Sequence, residues 1–155
     1  MQFLIVIRQS IIDKKHIEMI NILIVDDHQI IRNGIKLMLR TVPEFNVVAE
    51  VENGLEAIEY VEQNAQNIDV ILMDISMPKL DGIGATRLIK EKFPNLKVIA
   101  LTMHLEESYI KDMIKSGASG YMLKESDKNT VAKAINLVAQ GGNYIDKEAE
   151  NFLKR

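Results

Sequence analysis

Apolar residues in this chain gather into short uninterrupted runs, and each run ends on a polar residue. Residues 22–25 lead into Asp26 and Asp27, residues 70–73 into Asp74, residues 98–101 into Thr102, and residues 121–123 into Lys124. Runs of this length, bounded by polar or turn residues, are the pattern of strands buried on both faces of a parallel sheet. Between them the spacing becomes that of amphipathic helices. Ile31, Ile35, Met38 and Leu39 precede Pro43, and Leu55, Ile58, Val61 and Ala65 follow a capping Asn53. Ala85, Leu88 and Ile89 precede Pro94, and Ile110, Met113 and Ile114 precede Gly117 at a C′ position. Val131, Ala134, Ile135 and Val138 follow a capping Asp127 and end at Gly141-Gly142, while residues 46–51 alternate as an edge strand does.

Five strands alternating with five helices predict an α/β protein, a flavodoxin-like (βα)5 doubly wound parallel sheet with helices on both faces. Of the two common strand orders, 2-1-3-4-5 makes the first and third strands neighbours at the switch point, where ligands bind beyond the carboxyl ends. Asp26, Asp27 and Asp74 then share one edge. Three carboxylates in a small pocket repel one another unless a cation joins them. Oxygen ligands without a His or Cys cluster select a hard ion, and Mg2+ fits best because it retains waters that a phosphate can replace. Beside such a metal Asp74 can act as a nucleophile toward a phosphoryl group, giving an acyl phosphate. The Lys124 ammonium and the Thr102 hydroxyl are placed to steady the charge on the transferring oxygens. Taken singly, each of these residues has a plainer reading as a cap, a turn residue or a solvated charge; four strand ends together do not.

Composition narrows the setting. The chain has 155 residues, 47% apolar and 26% charged, enough for one packed domain. It has no cysteine, which excludes disulfides and thiolate metal sites and suits a reducing compartment such as the cytoplasm. The formal charge of −3 comes without a dense basic run, so these residues make no DNA-binding surface of their own. The apolar run at residues 3–7 is too short to cross a bilayer and lacks the flanks of a signal peptide. Residues 1–19 read as an extension outside the fold rather than an extra edge strand. His16, His28 and His104 are too scattered to form a metal cluster, and Met38, Met73 and Met113 read as core filler.

The motifs Val25-Asp26-Asp27-His28, the eleven-residue segment from Leu72 through Asp74, Ser76 and Pro78 to Gly82, Leu101-Thr102, and Gly120-Tyr121-Met122-Leu123-Lys124 occur in one order. Together they resemble the receiver domain of two-component response regulators, most closely the NarL/FixJ subfamily with its LuxR-type output. The resemblance covers residues 20–142 and leaves 143–155 as the start of an interdomain linker, with a short helical stretch at 146–153. It implies that Asp74 takes phosphate from a sensor histidine kinase. It also implies that Asp27 binds Mg2+ directly, Asp26 mostly through water, and Ser76 through its backbone carbonyl. Thr102 and Tyr121 match the family's switch pair. The receiver would catalyse its own phosphorylation and hydrolysis without being a turnover enzyme, would dimerise when phosphorylated, and would reach DNA only through a helix-turn-helix domain absent from this sequence.

Some positions depart from the common pattern. Glu125 follows Lys124 where many receivers have proline, Met103 follows Thr102 where smaller residues are frequent, and Ser76 and His104 stand where the family tunes acyl-phosphate lifetime. A stand-alone receiver acting through protein partners is the alternative reading. A phosphohydrolase of the haloacid-dehalogenase type would need an aspartate where Ser76 stands, and a nucleotide-binding protein would need a Gly-rich loop where Asp26-Asp27-His28-Gln29 puts negative charge.

Overall fold

The four apolar runs and the alternating segment all become strands, and every pairing among them is parallel. β1 (Ile20–Val25), β2 (Phe45–Val51), β3 (Val70–Asp74), β4 (Lys97–Thr102) and β5 (Gly120–Leu123) are joined by a short β6 (Tyr144–Ile145), in the order β2-β1-β3-β4-β5-β6. The helices are α1 (Gln29–Arg40), α2 (Gly54–Asn64), α3 (Gly82–Lys92), α4 (Glu107–Lys115), α5 (Lys128–Ala139) and α6 (Lys147–Leu153). The structure is a computed structural model and describes residues 18–103 and 105–154. Most of the expected N-terminal extension, residues 1–17, together with His16 and His104, lies outside the described residues.

The strand pleat divides the core in two. Leu23, Val25, Ile71, Met73, Val98, Ala100 and Tyr121 point to one face, against Ala57 and Val61 of α2, Ala85 and Ile89 of α3, and Ile110 and Met113 of α4. Ile22, Ile24, Val70, Leu72, Ile99, Leu101 and Met122 point to the other, against Ile35 and Leu39 of α1 and Val131, Ala134, Ile135 and Val138 of α5. Burying each such aliphatic side chain stabilises the fold by about 1.5–3 kcal/mol, which is why the runs are apolar without interruption.

Caps fix the helix starts. Asn53 accepts from the Glu56 amide, Asp81 from Gly84 and Asp127 from Thr130. Gly117, which follows α4, and Gly141, which follows α5, have φ of +104° and +95°, the left-handed conformation that ends helices. The expected inner faces of three helices need adjustment, because Leu55, Leu88 and Ile114 are exposed. The buried positions near the helix starts are small instead: Gly54 and Ala57 of α2 and Gly84 and Ala85 of α3, with Gly54 and Gly84 both closing on Leu80 of the loop after β3.

β6 is an addition to the five expected strands. Two residues cannot display a two-residue period, so Tyr144 and Ile145 carry no strand signal of their own. They pair because the Tyr144 N–H donates to Ser119 O at 3.0 Å and the Asp146 N–H to Tyr121 O at 2.9 Å, covering the free edge of β5. The expected stretch at 146–153 forms α6, whose buried Ala149 joins the core cluster that holds Tyr121, Ile110 and Met113.

Gly82 sets how close α3 comes to the end of β3. A Cβ there would stand 2.0 Å from the Asp74 carbonyl oxygen and 2.9 Å from Ile75 Cα, and its own amide donates to Ile75 O at 2.8 Å. Backbone cannot yield as a flexible side chain can, so Gly82→Ala is expected to lose at least about 3 kcal/mol of stability, the range of severe overpacking. A denaturant midpoint within experimental error of wild type would contradict this packing.

Candidate functional site

Register alone assembles the site. β1 pairs with β3 through Val25↔Met73, which places Asp26 beside Asp74 where the two strands end. β3 pairs with β4 through Asp74↔Leu101, and β4 with β5 through Thr102↔Leu123, so Lys124 leaves β5 at the same edge, with its amide donating to Thr102 O at 2.8 Å. Residues nearly a hundred positions apart are thereby gathered by hydrogen-bonded ladders rather than by mobile loops.

At the centre lie two buried carboxylates and one buried ammonium. Asp26 is 1% exposed and Asp74 4%. The Lys124 side chain, 3% exposed, sets its Nζ 2.6 Å from Asp26 Oδ2 and 3.1 Å from Asp74 Oδ1. Asp27 stands at the mouth, 28% exposed, and adjoins a cleft of about 360 Å3 lined also by Ser76, Met77, Pro78 and Tyr109. Burial pushes the Asp74 carboxyl up to about 6, the charge of Asp26 and contact with the Asp27 carboxyl push the same way, and Lys124 opposes them. Asp74 Oδ2 is buried and accepts from no donor among the described residues. Asp26 Oδ2 and Asp27 Oδ1 likewise accept from no donor among the described residues, but they meet Lys124 Nζ at 2.6 Å and His28 Nδ1 at 3.1 Å.

The donor set suits a hard divalent cation. One ligand atom from each of Asp26, Asp27, His28 and Asp74 can lie within 4.8 Å of the others. Three carboxylates that repel one another, each with a buried oxygen that accepts from no donor among the described residues, are the arrangement that such an ion relieves. Ser76 is exposed beside them, on the loop leaving β3. That loop is tightly held: Leu80 N–H donates back to Pro78 O at 2.8 Å across Lys79, whose φ of +68° marks a strained γ-turn, and Gly54 of α2 donates to Leu80 O at 3.1 Å.

Thr102 and Tyr121 are neighbours. Both are buried, and burial pushes the Tyr121 phenol up to about 12 while the Thr102 hydroxyl beside it pulls the other way. Met103, which follows Thr102, is 55% exposed.

Two residues at the site were given no role from the sequence. His28, part of the motif at residues 25–28 but set aside there as one of three scattered histidines, sets its Nδ1 3.1 Å from both Asp26 Oδ1 and Asp27 Oδ1, and its backbone N–H donates to Asp26 Oδ1 at 2.8 Å. Arg32, an unremarked polar position in a helix, is 3% exposed and lies behind the acids. A histidine directly after two aspartates was the available signal for the first. The second has none, because a helical arginine is solvated by default.

Comparison with known proteins agrees with this geometry. A family model for the response regulator receiver domain matches residues 22–136. The transcriptional regulatory protein DegU of Brevibacillus brevis is 49% identical over 136 residues, which are 87% of this chain and 57% of that protein, so the chain spans little more than half of its relative. A LuxR-family two-component response regulator from Aurantimonas sp. SI85-9A1 superposes with a TM-score of 0.82 at 29% identity, covering 88% of this chain and 96% of that one. The isolated receiver domain of RcsB from Salmonella enterica serovar Typhimurium, solved with the phosphomimetic BeF3−, gives 0.77 at 28% identity, with 86% and 98% covered. No helix among the described residues is long and apolar enough to cross a membrane.

Proposed function

The chain belongs to the response regulator receiver domain family, in its NarL/FixJ branch, and from that premise we propose that Asp74 is its phosphoacceptor, charged by a sensor histidine kinase. The observation that carries this reading is Asp74 Oδ2, buried and uncommitted at the centre of the acidic edge. In the transfer, Asp74 Oδ2 bonds to phosphorus as the phosphorus–nitrogen bond to the donor imidazole breaks. The imidazole nitrogen keeps the electron pair. Lys124, already 3.1 Å from Asp74 Oδ1, offers its ammonium to the phosphoryl oxygens, and the Thr102 hydroxyl is the donor on the β4 side. Mg2+, when held by Asp26, Asp27, Asp74 and the Ser76 carbonyl, neutralises the charge of acceptor and phosphate together. The residues act by position and field, with no proton abstraction required, so the domain promotes its own phosphorylation and its reversal without turning over a substrate.

Thr102 and Tyr121 form the switch in this reading. Drawing the hydroxyl toward a phosphoryl group frees space that the neighbouring ring fills, a packing change with two discrete states. Residues 20–142 are the phosphorylated unit, and residues 143–155 lead from it. Homodimerisation follows phosphorylation, and a helix-turn-helix domain outside this sequence contacts DNA. The absence of cysteine suits action in the cytoplasm.

Incubation with Mg2+ and a small acyl-phosphate donor is expected to add one phosphate, labile to hydroxylamine, by intact mass. Asp74→Asn should add none. Equal labelling of that variant would remove Asp74 from the acceptor role.

A further inference from the structure

Arg32 is the one fully enclosed cation of α1, and its surroundings give no local reason for it to be there. It sits in the second turn with its guanidinium directed back toward the helix N-terminus, where a positive charge is disfavoured by the helix dipole. Burial adds a desolvation cost. All three guanidinium nitrogens are nevertheless engaged. Nε donates to Glu50 Oε1 at 3.0 Å, Nη2 to the Gln29 side-chain carbonyl with Glu52 3.5 Å away, and Nη1 to the backbone carbonyl of Asp26. The Glu50 carboxyl is held below its ordinary value, chiefly by Lys36 and, against the opposing effect of burial, by Arg32, which keeps it an anion for the guanidinium to rest on.

The contact with Asp26 O is the informative one. Asp26 is already fixed at three other points: its N–H donates to Val51 O at 3.1 Å, its Oδ1 accepts from the His28 N–H, and its Oδ2 meets Lys124. Asp27, by contrast, stands at the mouth of the site, where its carboxyl meets the exposed His28 ring and the carboxyl of Asp74 but no backbone donor that would fix its direction is described. The direction in which the Asp27 carboxylate enters the pocket is set by the peptide plane that joins it to Asp26. The oxygen of that plane is the atom Arg32 grips.

We propose that Arg32 is a positioning residue for the phosphoryl-transfer site: by holding the Asp26 carbonyl against β2 it fixes the Asp26–Asp27 peptide plane and aims Asp27 at the cation. This rests on the functional reading above. The three acceptors Asp26 O, Glu50 and Gln29 are met by three separate nitrogens of a planar fork, and a lysine, whose donors all radiate from one nitrogen, cannot reproduce that spread. Arg32→Lys therefore keeps the charge and loses the geometry.

Calorimetric titration of the whole chain with Mg2+ alone tests it. Arg32→Lys is expected to weaken Mg2+ binding about tenfold, the usual effect of removing a group that orients a metal ligand. In phosphorylation assays the same variant should need about tenfold more Mg2+ for half-maximal rate yet recover the wild-type rate at saturation. Lys36→Met strips the other cation from Glu50 without touching Asp26, and should leave Mg2+ affinity unchanged. Wild-type affinity within twofold in Arg32→Lys, or an equal loss in Lys36→Met, overturns the positioning role. Should Arg32→Lys lack a cooperative melt, Arg32→Met combined with Glu50→Leu removes both charges together and is judged by the same criterion. Absence of Mg2+ binding in wild type would instead overturn the functional reading itself.

Discussion

In metal-free buffer at pH 8, Asp74→Asn melts above wild type. The acceptor carboxyl is pushed up to about 6 by burial and by the charge of Asp26, whereas an unfolded chain returns it to about 4. The sign follows from the direction of that shift. Between those values the folded protein binds a proton that the unfolded chain does not, so the stability Asp74 contributes is fully present below about pH 4 and is lost as pH rises through about 6. Above that, the fold carries a buried anion at a cost on the order of 2–3 kcal/mol, which an amide of the same shape does not incur. The expected gain is roughly 5–10 °C at pH 8, shrinking toward nothing near pH 4. Mg2+ should narrow the difference by stabilising wild type more than the variant. A variant less stable than wild type at pH 8, or a gain independent of pH, would contradict the electrostatic account of this pocket.

The second large effect is of opposite sign. Lys124→Met is expected to destabilise the metal-free protein by about 3–5 kcal/mol at pH 8, the range for breaking a buried ion pair from one side. The loss is steep because the ammonium serves both Asp26 and Asp74, and its removal leaves two enclosed carboxylates facing each other. Lys124 pulls the Asp74 carboxyl down, so without it that carboxyl takes up a proton at a higher pH than in wild type, and stability should recover as the solution is acidified. Chemical denaturation at pH 8 and pH 5.5 checks this. Equal destabilisation at both would show that lost packing, not charge, governs the site.

Much of the molecule was legible because its sheet is buried on both faces. A strand in that setting must be apolar at every position, so residues 22–25, 70–73 and 98–101 announced themselves and their polar ends marked one edge. Asp26, Asp27, Asp74 and Lys124 are together for that reason, and α5 shows the same clarity in its capping Asp127 and four inward aliphatics. What stayed hidden depended on long-range pairing. Leu55 and Leu88 fit a helical stripe yet are exposed, while Gly54 and Gly84 are buried against Leu80, a contact with a loop that periodicity alone cannot reveal. Arg32 looked like any helical arginine until β2 supplied Glu50 behind it. Residues 144 and 145 had to find Ser119 and Tyr121 before they were a strand at all.

That late strand closes more than an edge. With Ile145 beside Tyr121 in the sheet and Ala149 of α6 sealed into the same cluster as the ring, the aromatic is boxed between its own domain and the tail that follows it. A ring swinging outward here would strike polypeptide instead of water, and the tail would have to lift for it to pass.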